Sequence, residues 1–216
     1  MAEEVQKKTE AKPKVEEKAT SVNTSASTGK KFPTWAIILI AIVVVVGGWL
    51  ISTYNSMVTA NEKVNEKWAV VDADLQRRND LIPNLVATVQ GYASHETEVF
   101  TAVSDARAKL AGAATPEEAA KADGELSSAL SRLLAISEAY PELKSNENFQ
   151  SLQDELAGTE NRIAVSRKDY NGVVKDFNTS VKKFPRNLLA GMFGFGEREY
   201  FEAVAGADVA PTVKFE

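Results

Sequence analysis

The chain has 216 residues, with 30 acidic against 25 basic side chains and no cysteine. The resulting net charge of -5 at pH 7 argues against a nucleic-acid partner, because phosphate contacts need a concentrated basic surface. The lack of cysteine excludes disulfides, thiolate metal sites and cysteine nucleophiles.

The N-terminal residues 1–31 mix lysine and glutamate with small polar residues and contain almost no large apolar side chains. Such a composition cannot bury a core, so we predict a disordered tail. Lys30 and Lys31 are close enough to the following segment to contact anionic lipid headgroups.

An apolar run, WAIILIAIVVVVGGWLI, follows the tail from Trp35 to Ile51 and contains no charged residue. As a helix, roughly 17 residues are about 26 Å long, and an extension to residues 32–54 covers the roughly 30 Å of a bilayer core. Trp35, Trp49 and Tyr54 lie near its ends, where amphipathic rings anchor a span at the headgroups. A cleaved signal peptide would begin nearer the N-terminus, and a buried core helix is the remaining alternative. We predict one transmembrane helix over residues 32–54.

The orientation of this span follows from the lysines beside it. Lys18, Lys30 and Lys31 precede it, and Lys63 and Lys67 follow it. Because positive charge nearest the bilayer tends to stay in the cytoplasm, we expect a single-pass protein of the cell (inner/plasma) membrane with its tail inside. The small difference in charge favours a helical bundle outside the cytoplasm over a cytoplasmic one.

Residues 55–185 carry apolar side chains at the seven-residue spacing of helices that pack on helices, as in coiled coils. The first helix is predicted to continue from the membrane to about Leu110, with a kink at Pro83. The sequence TPEE at residues 115–118 is typical of a helix N-terminus, and a third helix is predicted between residues 145 and 185. The predicted fold is therefore all-α: one N-terminal transmembrane helix followed by an antiparallel bundle of three to four long helices.

Residues 186–216 differ from the bundle because they contain the glycine-broken apolar stretch LLAGMFGFG. A short helix is predicted from Glu197 to Ala205, and an extended segment over residues 210–213. Either this C-terminal tail packs on the bundle or its apolar side chains form an interaction patch for a partner or for lipid. The patch would consist of Leu188, Leu189, Met192, Phe193 and Phe195.

The sequence does not contain the patterns of common catalytic sites. His95 is the single histidine and precedes Glu96, but a zinc-protease helix would need a second histidine where Val99 stands. The glycines after residue 190 lack the lysine of a phosphate-binding loop. We therefore predict a protein that is not an enzyme and that holds no metal or cofactor.

Two polar clusters interrupt otherwise apolar helix faces, QRRND at residues 76–80 and TENR at residues 159–162. If the helices that carry them are antiparallel, Arg78 meets Glu160 across the bundle, and such a pair fixes register at some cost in stability. The predicted polar cluster, with a structural or partner-binding role, contains Arg77, Arg78, Asn84, Glu160 and Arg162.

Two longer stretches resemble the signature sequences of a known family. LQRRNDLIPNLVATVQGYASHE at Leu75–Glu96 and TENRIAVSRKDYN at Thr159–Asn171 are similar to those of the bacterial LemA family. The resemblance extends from about Ile37 to Phe201 and implies one N-terminal membrane helix and a bundle of long helices. It carries no catalytic residue. Relatives associated with magnetosome membranes and with membrane-bound proteases imply a membrane scaffold or adaptor.

The sequence therefore predicts a non-enzymatic, membrane-anchored helical scaffold or adaptor of the bacterial envelope. Its expected partners are the membrane lipid bilayer, an unidentified protein and further copies of itself. The alternative is a sensor or regulatory subunit that binds a small ligand or peptide at the inter-helix polar cluster. Such a subunit would act on a membrane partner such as a protease.

Overall fold

The computed structural model describes residues 33–202, and within this range the chain forms six helices and no strand. The helices are α1 (Thr34–Gln90), α2 (Thr97–Ala111), α3 (Pro116–Ala139), α4 (Pro141–Lys144), α5 (Glu147–Lys182) and α6 (Arg186–Phe193). The predicted all-α fold is confirmed within these residues. The disorder predicted for residues 1–31 and the extended segment predicted over residues 210–213 lie outside the described residues.

The chain divides into two units between Val44 and Val45. In the described part of the first unit, the large apolar side chains from Trp35 to Val44 are 53–67% exposed. In the second unit, α1 keeps exposed apolar side chains as far as Ile51. By length and composition, α1 is able to cross a membrane.

In the second unit, four long helices form an antiparallel bundle. Lys67 Nζ of α1 lies 3.9 Å from Asp169 Oδ2 of α5, and further along α1 Arg78 Nη1 lies 2.8 Å from Glu160 Oε2 of α5. The two helices therefore run in opposite directions. Short connections from α1 to α2 and from α2 to α3 reverse the chain at each step, as in an up-down bundle. The largest fully buried core side chains include Ile82, Leu85, Leu126, Leu133, Phe149 and Ile163.

The second unit has two regions that differ in what covers α1. In the four-helix region, α1 from residue 71 to residue 90 packs with α2, α3 and the first half of α5. The connection between α2 and α3, where α2 has ended and α3 begins, lies beside Trp68. In the clamp region, residues 53–68 of α1 and residues 170–182 of α5 are joined by residues 195–202, which we call the C-terminal segment.

The first bundle helix ends earlier than the sequence predicts. α1 stops at Gln90 and a new helix follows a short connection, so the predicted continuous helix to Leu110 is wrong. Gly91 begins the connection, and glycine destabilises a helix interior by about 1 kcal/mol relative to alanine. Ala93 is buried in the core, which holds the connection in place. Pro83, where a kink is predicted, lies inside α1 and does not end it.

Two helix starts agree with the sequence. Thr115 Oγ1 accepts a hydrogen bond from the Glu118 N–H at 3.2 Å, and Glu118 Oε2 accepts one from the Ala114 N–H at 2.8 Å. Thr115 is the N-cap that the TPEE sequence predicts, and Glu118 reaches back as in a capping box but accepts from the residue before the cap. Asn146 Oδ1 accepts from the Phe149 N–H at 3.1 Å and caps α5.

After α6 the chain has no regular structure as far as residue 202. Gly194 ends α6 with φ +76°, a left-handed conformation that favours glycine. The short helix predicted from Glu197 is wrong over residues 197–202. Side chains of α5 bond to the backbone groups that such a helix would use, and these contacts hold the segment in an irregular form.

Candidate functional site

Arg78 lies on the core side of α1 and is only 5% exposed. Its Nη1 atom lies 2.7 Å from Asp123 Oδ1 of α3 and 2.8 Å from Glu160 Oε2 of α5. Its Nη2 atom donates to Ser127 Oγ of α3 at 3.0 Å. The predicted pair between Arg78 and Glu160 is present, and the arginine connects three helices. We call these four residues the Arg78 cluster.

The Arg78 cluster places two carboxylates around one guanidinium. Burial raises the pKa of the Asp123 carboxyl above its ordinary value, although the Arg78 charge beside it acts to lower that pKa. The Glu160 side chain is 54% exposed, so water screens its charge, whereas the Asp123 side chain is 8% exposed. Nη1 donates to Asp123 and forms an ion pair with Glu160, while Nη2 donates to Ser127, so the cluster acts as a brace between helices.

The other members of the predicted polar cluster do not join this brace. Arg77 and Arg162 line an open depression on the surface together with acidic side chains of α5. Asn84 is exposed on α1. Of the predicted set, the structure pairs Arg78 with Glu160 in the core and places Arg77 and Arg162 together in the surface depression.

Asp123 is the buried partner that the sequence analysis missed. It lies on the buried face of α3, with Ala119 and Ala122 before it and Leu126 after it at helical spacing. A carboxylate on an apolar helix face must find a partner when it is buried, because burying an unpaired charge is costly. The position of Asp123 on that face was therefore a usable signal.

Two asparagines of α5 hold the C-terminal segment. Asn178 Nδ2 donates to the Arg198 carbonyl oxygen at 2.9 Å, and Asn178 Oδ1 accepts from the Arg198 N–H at 2.8 Å. Asn171 makes the same two bonds with the backbone of Phe201, each at 2.9 Å. A side-chain amide offers a donor and an acceptor side by side, so each asparagine satisfies one residue's backbone completely. We call this pair the asparagine clamp.

The side chain of Phe201 fills an aromatic pocket beside the asparagine clamp. It is buried, with its ring centroid 6.3 Å from that of Trp68, and the Arg167 guanidinium lies 5.9 Å from the ring. Tyr170 lies 5.4 Å from Trp68 between centroids and donates its hydroxyl to the Glu199 carbonyl oxygen at 2.8 Å. Burial raises the pKa of the Tyr170 phenol, which keeps this donor protonated.

The three predicted membrane anchors are all exposed on α1. Trp35 belongs to the first unit, and Trp49 and Tyr54 belong to the second. In the second unit, the Tyr54 ring contacts Phe193 edge-on with centroids 5.0 Å apart, and Phe195 with centroids 5.9 Å apart.

The predicted interaction patch divides into inward and outward side chains. Leu189 is buried and Phe195 is half-buried. The remaining members are exposed, and Phe184, on the turn before α6, joins them. We call this exposed set the α6 surface; it consists of Phe184 (80% exposed), Leu188 (64%), Met192 (71%) and Phe193 (48%).

Metal-ligating side chains are scattered over the part of the chain that the structure describes. No group of three or more is placed to hold a metal ion within residues 33–202. His95 is exposed on the connection between α1 and α2.

Comparison with known proteins places the chain in a family. The model of the LemA family matches residues 67–215. Magnetosome protein MamQ 2 of Paramagnetospirillum magneticum is 31% identical over 204 residues, which cover 82% of this chain and 75% of the relative. Magnetosome protein MamQ of Magnetospirillum gryphiswaldense is 30% identical over 185 residues, 74% of this chain and 68% of the relative. Protein LemA of Metamycoplasma hominis is 20% identical over 137 residues, 63% of each chain. The chain therefore belongs to the LemA family, as its two signature stretches predict.

Proposed function

We propose that this LemA-family chain is a non-enzymatic scaffold or adaptor, held in the inner membrane by one span, with its bundle outside the cytoplasm. The observation that carries the proposal is the exposure of the apolar run of α1. Its large side chains from Trp35 to Val44 are 53–67% exposed in the first unit. A helix that is apolar all round needs cover from protein or from lipid, and this run has the length of a bilayer core.

The buried polar groups connect parts of the chain to one another, which supports a scaffold role. The Arg78 cluster connects three helices, and the asparagine clamp holds the C-terminal segment. Catalytic sites instead aim perturbed polar groups into a cleft where a substrate binds. Two relatives are magnetosome proteins, which supports an organising role of the kind that an assembled cellular structure needs.

The alternative is a sensor that binds an anion or a peptide at the polar cluster. Arg78 would be its cationic group, but Asp123, Ser127 and Glu160 already engage its two terminal nitrogens, and its Nε is buried. An anion would have to displace two carboxylates from a largely buried guanidinium. The scaffold proposal is therefore the better supported of the two.

Crosslinking in intact membranes tests the scaffold proposal. Val165 is an apolar side chain of α5 that is 63% exposed, so a photo-crosslinking amino acid fits there without disturbing the core. Two differently tagged copies are expressed at native levels, with the crosslinker at Val165 or at Ser151, an exposed polar position of the same helix.

A discrete adduct with the second copy or with one partner protein is the expected result. Adducts that depend on the Val165 position, compared with Ser151, would locate the contact on the bundle. Monomer bands alone, at both positions and at several further exposed positions of α2 and α3, would contradict the scaffold proposal.

A further inference from the structure

We propose that α6 is a second membrane contact, in which the α6 surface inserts into the lipid headgroup region beside the end of the span. The inference rests on the proposed single span and extends it from one membrane attachment to two. Its occupant is the lipid bilayer itself.

From Leu188 to Phe193, α6 is apolar on both its buried and its exposed side. Leu189 and Ala190 face inward and are buried, while Leu188 and Met192 face outward. The two outward side chains stand four residues apart and so share one face of the helix. A helix on a water-exposed surface carries polar residues on its outer face, whereas an apolar outer face is typical of helices covered by protein or lipid.

Within the second unit, α6 lies next to the end of the exposed apolar stretch of α1. Phe193 contacts Tyr54, which follows the exposed apolar stretch Val45–Ile51 on α1. A tyrosine at the end of a span lies at the headgroup level. Leu188 and Met192 belong to the same eight-residue helix as Phe193, and eight helical residues are roughly 12 Å long, so both lie within about that distance of it. The α6 surface is thus continuous with the end of the span.

Basic side chains lie next to the α6 surface in the sequence. Lys182, Lys183 and Arg186 lie within five positions of one another, from the last residue of α5 to the first residue of α6, and the two lysines are exposed. Lys182 pairs with the exposed Glu197 at 2.7 Å, and Arg186 donates to Ser180 at 2.9 Å. Basic side chains beside exposed apolar ones are typical of segments that bind anionic membrane surfaces.

A protein occupant fits these observations less well. A second copy or a partner protein would have to lie beside Tyr54, at the level where the span leaves the bilayer. Lipid headgroups already surround that level for any single-pass protein. The basic residues next to the α6 surface are complementary in charge to anionic lipid headgroups.

Fluorescence quenching in the full-length chain tests the inference, since the protein has no cysteine of its own. Single cysteines labelled with an environment-sensitive dye are placed at Met192, at Thr179 and at Val46. The chain is reconstituted at one copy per nanodisc of phosphatidylcholine and phosphatidylglycerol. Acyl-chain doxyl groups quench dyes in contact with lipid, and iodide quenches dyes in contact with water.

Each position has a separate purpose. Met192 is on the α6 surface, and Thr179 is the matched control, because it is exposed on α5 near the same end of the bundle. Val46 lies in the apolar run and reports on the span itself. We expect doxyl quenching at Met192 to be several-fold stronger than at Thr179, and iodide quenching to be several-fold weaker.

Three outcomes would overturn the inference. If Met192 matches Thr179 while Val46 is quenched by doxyl, α6 faces water and the span remains. If neither Met192 nor Val46 is quenched by doxyl, the proposed span fails as well. If Met192 is protected from both quenchers, protein covers the α6 surface and lipid does not.

Discussion

In the four-helix region, three helices cover α1, whereas in the clamp region α5 and the irregular C-terminal segment do so. The two regions also bury different polar groups. The four-helix region buries the charged Arg78, which requires the counter-charges of Asp123 and Glu160. The clamp region buries backbone groups that two neutral asparagines satisfy. An irregular segment is therefore able to replace two helices when side-chain amides supply the hydrogen bonds that a helix would make internally.

The largest expected effect comes from breaking the charged brace. Arg78→Met leaves Asp123 buried without its counter-charge, and removing one member of a buried ion pair typically costs about 3–5 kcal/mol. Circular dichroism of the full-length chain during denaturant unfolding in detergent measures the loss. Arg77→Met is the matched control, because Arg77 is exposed and should change stability by less than about 0.5 kcal/mol.

Equal stabilities of the two variants would mean that the brace has no structural role. Loss of a protein partner in Arg78→Met with unchanged stability would favour the sensor alternative instead.

A smaller effect is expected from opening the asparagine clamp. Asn178→Ala leaves the backbone N–H and carbonyl of Arg198 without partners, which typically costs about 1–3 kcal/mol. Because the C-terminal segment covers only the clamp region, this cost appears as local opening more than as global unfolding.

Hydrogen exchange at the Arg198 and Phe201 amides measures that opening. Exchange at both amides should accelerate in Asn178→Ala, while amides of the four-helix region keep their protection. Asn161→Ala, at an exposed position of α5, should leave both rates unchanged. Unchanged exchange in Asn178→Ala would show that the aromatic pocket alone holds the segment.

The pH dependence of the unfolding free energy tests whether the pKa of Asp123 is raised in the folded chain. Burial raises its folded-state pKa, so between the unfolded and folded pKa values the native chain holds a proton that the unfolded chain has released. The contribution of this group to stability is therefore greatest below the unfolded pKa of about 4 and falls as the pH rises toward the folded value.

One such proton limits the slope to about 1.4 kcal/mol per pH unit. Asp123→Asn should remove this component, so the unfolding free energies of the variant should fall less steeply than those of the wild type from about pH 4 upward. Parallel curves for the two proteins would show that Asp123 keeps an ordinary pKa in the folded chain.

The smallest effect is expected on the α6 surface. Leu188→Ala removes an exposed side chain and should change the unfolding free energy by less than about 0.5 kcal/mol. Leu189→Ala, its buried neighbour, should cost about 2 kcal/mol or more. Equal losses in detergent-solubilised chains would mean that Leu188 also packs in the core.

Much of the fold could be predicted because packed helices require a regular spacing of apolar residues in the sequence. The apolar period gives the helices, TPEE at residues 115–118 gives the start of α3, and Asn146 lies where the start of α5 is predicted. The break after Gln90 was missed, because the apolar period continues through the connection and Ala93 is buried there. Burial of a small residue in a turn has no periodic signal.

The sites were harder to predict because their partners are distant in the chain. Arg78 and Glu160 could be paired from helix direction alone, whereas finding Asp123 required noticing a carboxylate on the apolar face of α3. Asn171 and Asn178 resemble ordinary surface residues, and their role depends on a C-terminal segment that only the folded chain brings beside them. A side chain that bonds to backbone groups has no complementary side chain elsewhere in the sequence, so no residue pattern identifies its partner.

Cysteine accessibility in intact cells tests directly whether the chain crosses the membrane once. Ser21 precedes the apolar run and Ser128 is exposed on α3, while the chain has no cysteine to interfere. Ser21→Cys and Ser128→Cys variants are treated with a membrane-impermeant maleimide before and after lysis. We expect Ser128→Cys alone to react in intact cells and both variants to react after lysis. Reaction at Ser21 alone would keep the span but reverse its orientation, and equal reaction at both positions in intact cells would contradict the span itself.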